Sequence, residues 1–243
     1  SPKDHSRVLF HGTIIHGFQF LNGEWRYKPT SYFTVGSGVG VGIRATQTAA
    51  PQRVGVIGLG AGTIAAYARK GDHLTFYEIN GLVEQLARKQ FTYLSDAPGT
   101  VDVRLGDARL VLEREQPQGY DTFVVDAFSG DAIPIHLLTL EAFQLYFRHL
   151  KPDGVLAAHV SNKRLDLAPI VALAADTLHK HAWLIDSDDD DDENAYGSTW
   201  VLVFGRDDRM ANIEVPDSTR ELTRPTGLRA WTDDYSSLFH ILR

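Results

Sequence analysis

The chain has 243 residues, of which 43% are hydrophobic and 23% charged, and it contains no cysteine. A chain of this size and composition can bury a large core, which excludes a disordered or collagen-like protein and a disulfide-rich module. The lack of cysteine also excludes thiolate catalysis, cysteine-based zinc sites and iron–sulfur clusters. No apolar run is long enough to cross a bilayer, so no membrane span is expected within this sequence.

The formal net charge of −7 arises in one short stretch. Seven acidic residues lie between Asp186 and Glu193, and the remaining acidic residues equal the 24 lysines and arginines in number. Because the chain has no basic stripe, nucleic acid is not an expected partner. The acidic run favours a small cation as partner, and a solvated loop is the alternative.

The N-terminal quarter predicts short β segments, at residues 8–10, 13–15, 18–20 and 25–27. The Asn22-Gly23 pair between the last two runs is typical of a hairpin turn. We therefore expect a β-rich unit over residues 1–48 and a Rossmann-like catalytic domain over residues 49–243. The sequence begins at Ser1 without an initiator methionine, so a processed or excised piece is expected.

From Arg53 onward, strand and helix patterns alternate. Strands are expected at residues 54–57, 74–77, 101–103, 122–125, 155–159 and 200–204. Helices are expected at residues 63–70, 82–90, 108–115, 137–150 and 165–179. This alternation predicts an α/β fold with a parallel sheet and helices on both of its faces.

The first β–α turn is rich in glycine, with Gly58, Gly60 and Gly62 in alternate positions. The dinucleotide-binding fingerprint would need a further glycine where Thr63 stands, so a pyrophosphate ligand is not favoured. Glu78 follows the second strand, and a carboxylate there can accept hydrogen bonds from both ribose hydroxyls. The pair predicts a nucleoside site, while the alternative is that the glycines only form a tight turn.

The next two strand ends carry acidic residues. Asp107 follows the third strand and is expected to accept from an adenine amino group, while Asp126 follows the fourth and faces the reacting end of the ligand. For both residues the alternative is a helix N-cap. His159 ends the fifth strand at the same edge, where it lines the pocket or precedes an Asn162 helix cap.

Three other groups of residues do not predict a functional site. The ten histidines lack metal-ligand spacing, so no metal is expected. Ser129 lies outside a nucleophile-elbow motif, which argues against a hydrolase. The polar and aromatic segment 231–235 is interpreted as a capping turn rather than a site.

Taken together, the strand-end motifs resemble those of the spermidine synthase family of polyamine aminopropyltransferases. The chain is similar in particular to the bacterial spermidine-synthase-like branch, which is often fused to a membrane transporter-like segment. The motifs that carry the resemblance lie at residues 56–62, 77–79, 106–108, 124–128, 150–156 and 195–198. The resemblance implies a Rossmann-like S-adenosylmethionine-dependent transferase fold with a mostly parallel seven-stranded sheet.

The resemblance also implies a reaction, in which a polyamine nitrogen attacks the carbon next to the sulfonium of decarboxylated S-adenosylmethionine. It implies Asp126 as the carboxylate that orients and deprotonates the amine, with Tyr196 assisting. The donor-binding residues that it implies are Gln19, Gly58, Gly60, Gly62, Glu78, Asp107 and Ala108. The substrate-contacting residues that it implies are Tyr32, Ser129 and Asp131.

This chemistry is consistent with the residues themselves. A protonated amine is not a nucleophile, so the site needs an anion that binds the cation and then accepts its proton. The sulfonium is already a good leaving group, which leaves alignment as the main task. The acidic run before Tyr196 would raise the local concentration of a polycation.

The sequence departs from the family pattern at positions that normally carry charge. Ala61 stands where the family has an aspartate that holds the donor's ammonium, and Ser129 replaces a second aspartate, with Asp131 as a substitute. Two other functions therefore stay open. One is a small-molecule methyltransferase that uses intact S-adenosylmethionine, for which Ala61 leaves room, and the other is a non-catalytic adenosyl- or polyamine-binding domain.

The resemblance further implies a cytoplasmic homodimer, joined through the β-rich N-terminal segment. A membrane segment outside this sequence is a further expectation, since the similar branch is often fused to one.

Overall fold

The structure is a computed structural model that describes residues 5–11, 14–126, 134–190, 194–205 and 213–243. The strands are β1 (Ser6–His11), β2 (Ile14–Phe20), β3 (Arg53–Ile57), β4 (His73–Glu78), β5 (Thr100–Leu105), β6 (Tyr120–Val125), β7 (Leu150–His159), β8 (His181–Ser187), β9 (Ser198–Phe204) and β10 (Arg220–Glu221). The α-helices are α1 (Gly38–Thr46), α2 (Gly81–Gln90), α3 (Tyr93–Asp96), α4 (Ala108–Arg114), α5 (Leu140–His149) and α6 (Ala168–Thr177). Short 3₁₀ segments lie at Gly23–Tyr27, Thr63–Tyr67 and Ile135–Leu137.

One large sheet organises the chain, with the strand order β10-β8-β9-β7-β6-β3-β4-β5. The pairs from β5 to β7 are parallel, while β9, β8 and β10 are added in antiparallel orientation. The predicted mostly parallel α/β fold is confirmed. The two-residue β10 adds an eighth strand to the expected seven, and β8 is a strand that the sequence patterns above do not predict.

The central strands are buried on both faces, which explains their continuous apolar character. On β6, Val124 belongs to a core cluster with α1 and α2, whereas Phe123 and Val125 belong to a second cluster with α4, α5 and α6. Phe123 stacks on Tyr146 of α5 with ring centroids 5.1 Å apart. Helices therefore cover both faces, and the carboxyl ends of the strands stay open at one edge.

The glycine-rich stretch before β3 forms a helix, so the β character expected up to residue 48 is wrong there. In α1, a Cβ on Gly38 would lie 2.2 Å from Trp200 Cβ, and one on Gly42 would lie 3.1 Å from Leu202 Cδ2. Glycine disfavours helix by propensity, but here it allows α1 to approach β9 closely. The expected domain boundary at residue 48 stays a prediction. Helix α1 precedes that boundary in the sequence but packs on the large sheet that follows it.

Two further expectations need correction. The Asn22-Gly23 pair does not join two strands, because residues 23–27 form a 3₁₀ segment and the paired strands are β1 and β2. Arg26 holds this segment against α3 through an ion pair with Asp96 at 2.6 Å. The helix expected at residues 63–70 is a single 3₁₀ segment that ends at Tyr67, because Arg69 N–H donates to Asp72 in a turn.

Candidate functional site

A cavity of about 510 Å³ opens at the carboxyl ends of the parallel strands. Gly58 follows β3, Glu78 ends β4, Asp107 follows β5 and Asp126 follows β6, and all four line the cavity. The parallel ladder extends to the edge, since Asp126 N–H donates to Ile57 O at 2.9 Å. Apolar side chains from β1 and α2 form one wall: Leu9, Phe10, Leu82, Val83 and Leu86.

Strand β2 closes over the glycine-rich turn. Gly58 and Gly60, which line the cavity, have positive φ angles of 95° and 52°. A Cβ on Gly60 would lie 2.6 Å from His16 O, and Ala61 N–H donates to the same oxygen at 3.3 Å. Glycine at position 60 is therefore required by the turn and by the close approach of β2.

The other two residues of this turn face protein instead of the cavity. A Cβ on Gly62 would lie 2.8 Å from Leu94 Cδ2, so Gly62 serves packing. Ala61 is buried, and a Cβ on Gly17 would lie 3.0 Å from Ala61 Cβ. A small residue at position 61 is thus a packing requirement, and Ala61 opens no space to the cavity.

Glu78 is fixed by backbone groups on either side of it. Its Oε2 accepts from Leu59 N–H at 3.0 Å, and its Oε1 accepts from Asn80 N–H at 2.8 Å. Burial raises the pKa of Glu78 above its usual value, and these backbone hydrogen bonds offset part of the rise. The carboxylate is held between the glycine-rich turn and α2, and its oxygens keep lone pairs for further donors.

Asp107 is a helix N-cap that also lies at the cavity wall. Its Oδ1 accepts from Leu110 N–H at 3.0 Å as the N-cap of α4. Its Oδ2 lies 3.3 Å from His136 Nε2, and both residues line the cavity together with Ala108. Capping therefore fixes the aspartate at the cavity wall.

Asp126 is paired with a histidine. Its Oδ1 lies 2.7 Å from Nδ1 of His159, at the end of β7. The other ring nitrogen of His159 lies 2.8 Å from Ser161 Oγ. His159 does not line the cavity. It lies behind Asp126, which does.

The ring of His159 lies between two aromatic rings. Its centroid is 4.9 Å from that of Tyr32 and 4.5 Å from that of Trp200. Tyr32 also lines the cavity. Burial and then the charge of Asp126 raise the pKa of Tyr32 well above its usual value, so its hydroxyl stays protonated and can donate.

The structure does not bring all the sequence-predicted residues to the cavity. Both ends of the Gln19 amide are used within the protein: Nε2 donates to Arg26 O and Thr92 Oγ1, and Oε1 accepts from Thr92 N–H. Tyr196 is 41% exposed, with its ring 5.7 Å from that of Phe18. Ser129 and Asp131 lie outside the described residues.

Two cavity residues were missed by the sequence reasoning. His16 and His136 both line the cavity, although their positions in the sequence show no spacing that pairs them with carboxylates. Only its contact with Asp107 identifies His136 as a site residue. The two residues lie far apart in the sequence, so no local motif shows this contact. Among the described residues no group of three or more histidine, aspartate or glutamate side chains could hold a metal ion.

Two open alternatives are resolved by contacts. Asn162 Oδ1 accepts from the backbone of Arg164 and Leu165, which makes a local turn ahead of α6 and not a cap on it. The carbonyl of Trp231 accepts from Leu140 N–H, so the segment 231–235 closes the start of α5, as interpreted. Within the described ranges, no helix has the length and apolar character needed to cross a membrane.

The sheet, with helices on both faces and acidic residues at successive strand ends, has the expected Rossmann-like fold. The structure is similar to the crystal structure of a probable spermidine synthase from Corynebacterium glutamicum, with a TM-score of 0.71 and 20% identity. That match covers 95% of this chain and 90% of the other.

Sequence comparison finds two curated relatives, an aminopropyltransferase and a methyltransferase. The chain is 35% identical over 114 residues to a polyamine aminopropyltransferase from Vibrio vulnificus, which is 45% of this chain and 38% of that relative. It is 37% identical over 107 residues to an N-terminal histidine N-methyltransferase from Emericella nidulans, which is 42% of this chain and 18% of that relative. No family model matches the chain. These matches confirm the resemblance to the spermidine synthase family, while the chain spans less than two fifths of the length of either curated relative.

Proposed function

We propose that the chain is an aminopropyltransferase that uses decarboxylated S-adenosylmethionine as donor and a polyamine as acceptor. The observation that carries the proposal is the convergence of Glu78, Asp107 and Asp126 on one cavity from three strand ends. The similarity to a polyamine aminopropyltransferase over 114 residues supports it.

The nucleoside of the donor fits the side of the cavity formed by β3, β4 and β5. The Glu78 oxygens would accept from the ribose hydroxyls, and Asp107 would accept from the adenine amino group. Leu82 and Val83 offer apolar surface to the base. The volume of about 510 Å³ is in the range of ordinary small-molecule sites.

In the transfer step, Asp126 acts as the general base. The ammonium of the polyamine gives one proton to this carboxylate, and the freed nitrogen lone pair forms a bond to the carbon next to the sulfonium. The carbon–sulfur bond breaks with its electron pair going to sulfur, so that a neutral thioether and a secondary ammonium result. Because the sulfonium needs no acid assistance, deprotonation and alignment are the contributions required of the protein.

The remaining sequence-predicted residues have supporting roles in the proposal. Tyr32 would donate a hydrogen bond to the substrate from the cavity wall. The backbone of Tyr196 pairs with Ser31, the residue before Tyr32, since Tyr196 N–H donates to Ser31 O at 3.2 Å. Its assistance to Asp126, and substrate contacts by Ser129 and Asp131, stay predictions. Gln19 contributes by holding the hairpin against Thr92 rather than by contact with the donor.

The experiment is a transfer assay with decarboxylated S-adenosylmethionine and, separately, a diamine and a triamine. Mass spectrometry should detect one aminopropyl group added to the amine for each methylthioadenosine released. Transfer of a methyl group from intact S-adenosylmethionine, with no aminopropyl product, would contradict the proposal.

The second candidate is a methyltransferase, and the match to a histidine N-methyltransferase favours it. The argument from Ala61 does not support it, because Ala61 is buried beneath β2 and opens no space for a methionine carboxylate. The intact-donor arm of the assay separates the two candidates.

We also propose a homodimer joined through the N-terminal hairpin, as the family resemblance implies. Light scattering after gel filtration tests it: a mass near 54 kDa is expected, about twice that of the 27.0 kDa chain. A monomeric mass at micromolar concentration would contradict it.

A further inference from the structure

We propose that His159 is a positioning residue for Asp126, a role that rests on the function proposed above. His159 Nδ1–H donates to Asp126 Oδ1 and fixes the carboxylate, which leaves Oδ2 to take the proton of the amine. The pair is nearly closed to solvent, with side-chain exposures of 7% for His159 and 11% for Asp126. A hydrogen bond to a charged group is worth more in such surroundings than at the surface.

The direction of each hydrogen bond follows from the Asp126 carboxylate, which in its ionised form can only accept. The ring proton of His159 is therefore on Nδ1, 2.7 Å from Asp126 Oδ1. Nε2 then accepts from the Ser161 hydroxyl, whose oxygen lies 2.8 Å away and also accepts from Thr199 N–H at 2.8 Å. The chain from Thr199 to Asp126 selects one tautomer of the ring.

The orientation of the ring is fixed as well. Tyr32 and Trp200 both stack on the imidazole ring of His159, with interplanar angles of 26° and 11°. Rotation of the imidazole would have to displace one of these rings, and Trp200 is fully buried. The ring plane and both of its nitrogens are thus held by elements that meet only in the folded chain.

Substitution of His159 separates positioning from proton exchange. In H159N the amide nitrogen can take the place of Nδ1 and donate to Asp126, but it cannot titrate. In H159L no donor remains. We expect H159L to lower kcat about 10- to 100-fold, as the loss of an outer hydrogen-bond partner does at other sites, with KM for the donor within about twofold. We expect H159N to recover kcat to within about fivefold of wild type.

A matched control exists on β8. His181 also places Nδ1 near a carboxylate, 3.4 Å from Glu221, and stacks on Phe204. It does not line the cavity, so H181L and H181N should leave kcat unchanged. Equal loss of activity in H159L and H159N would overturn the positioning role, as would full activity in H159L.

The hydrogen-bond arrangement has a readout independent of activity. In protein with ¹⁵N-labelled histidine, the signals that H159N removes should be those of a ring that carries its proton on Nδ1. A ring protonated on Nε2 alone would overturn the inference even if the enzyme is active. If the wild type transfers no aminopropyl group but shows the Nδ1–H form, the proposed function fails while the predicted hydrogen bond stands.

Discussion

The two halves of the cavity are built differently. In the half that we propose for the adenosyl group, formed by Gly58, Gly60, Glu78 and Asp107, the acidic side chains are held by backbone amides. In the half that we propose for the amine, Tyr32 and Asp126 line the cavity and His159 lies behind them, and the contacts run between side chains and ring faces. The first half depends on the local course of the chain, whereas the second depends on residues that folding brings together.

The separation along the chain makes the contrast concrete. Asp107 accepts from a residue three positions away, and Glu78 accepts from residues two and 19 positions away. Asp126 and His159 are 33 positions apart, and the hydrogen bond that orients Ser161 spans 38. We therefore expect substitutions in the adenosyl half to change affinity and stability, and those in the amine half to change turnover.

The largest effect is expected for D126N. The amide cannot accept the amine proton, so turnover should fall about 10²- to 10⁴-fold, which is the usual contribution of a general base. Affinity for methylthioadenosine, measured by calorimetry, should stay within about twofold. If turnover survives, Asp126 is not the base, and the division of the cavity into two halves is wrong.

The next effect is expected for G60A. Position 60 has a φ of 52°, and the new Cβ would meet His16 O at 2.6 Å, so both backbone strain and displacement of β2 are expected. Donor affinity and the free energy of unfolding should both fall, the latter by more than the ~1–2 kcal/mol of left-handed strain alone. G23A is the matched control, since Gly23 has a φ of 60° with nothing near its Cβ. Equal losses in the two variants would show that β2 does not rest on the turn.

A smaller, pH-dependent effect is expected for E78Q. Because burial raises the folded-state pKa of Glu78, its ionised form is disfavoured by folding. Wild type should therefore lose stability relative to E78Q as the pH rises from the ordinary glutamate value to the raised one. Chemical unfolding across that window measures the difference, on top of a constant cost of about 1–3 kcal/mol for the lost backbone hydrogen bond. A difference independent of pH would contradict the burial of this carboxylate.

The smallest effect is expected outside both halves, for D233N. Arg109 lowers the pKa of Asp233, chiefly by hydrogen bonding, and Arg109 Nη1 lies 2.6 Å from Asp233 Oδ1. The ion pair is partly exposed, so its loss should cost no more than about 1 kcal/mol. The difference from wild type should vanish as the pH falls through the lowered pKa. Thermal unfolding at neutral and acidic pH checks both points, and a change in turnover would contradict the placement of Asp233 outside the site.

The same contrast explains what the sequence could predict. The strands β3, β4 and β6 are mostly apolar, Glu78 ends a strand and Asp107 follows one closely, so local patterns were sufficient to predict these positions. The helix α1 was missed because its glycines are selected by Trp200 and Leu202, which lie far away in the chain. For the same reason the sequence placed His159 at the correct edge but could not pair it with Asp126.

Calorimetry with decarboxylated and intact S-adenosylmethionine tests the central claim most directly. The account predicts that the decarboxylated donor binds more tightly, and that E78Q weakens its binding while D126N does not. Tighter binding of the intact donor, or binding that is insensitive to Glu78, would contradict the account.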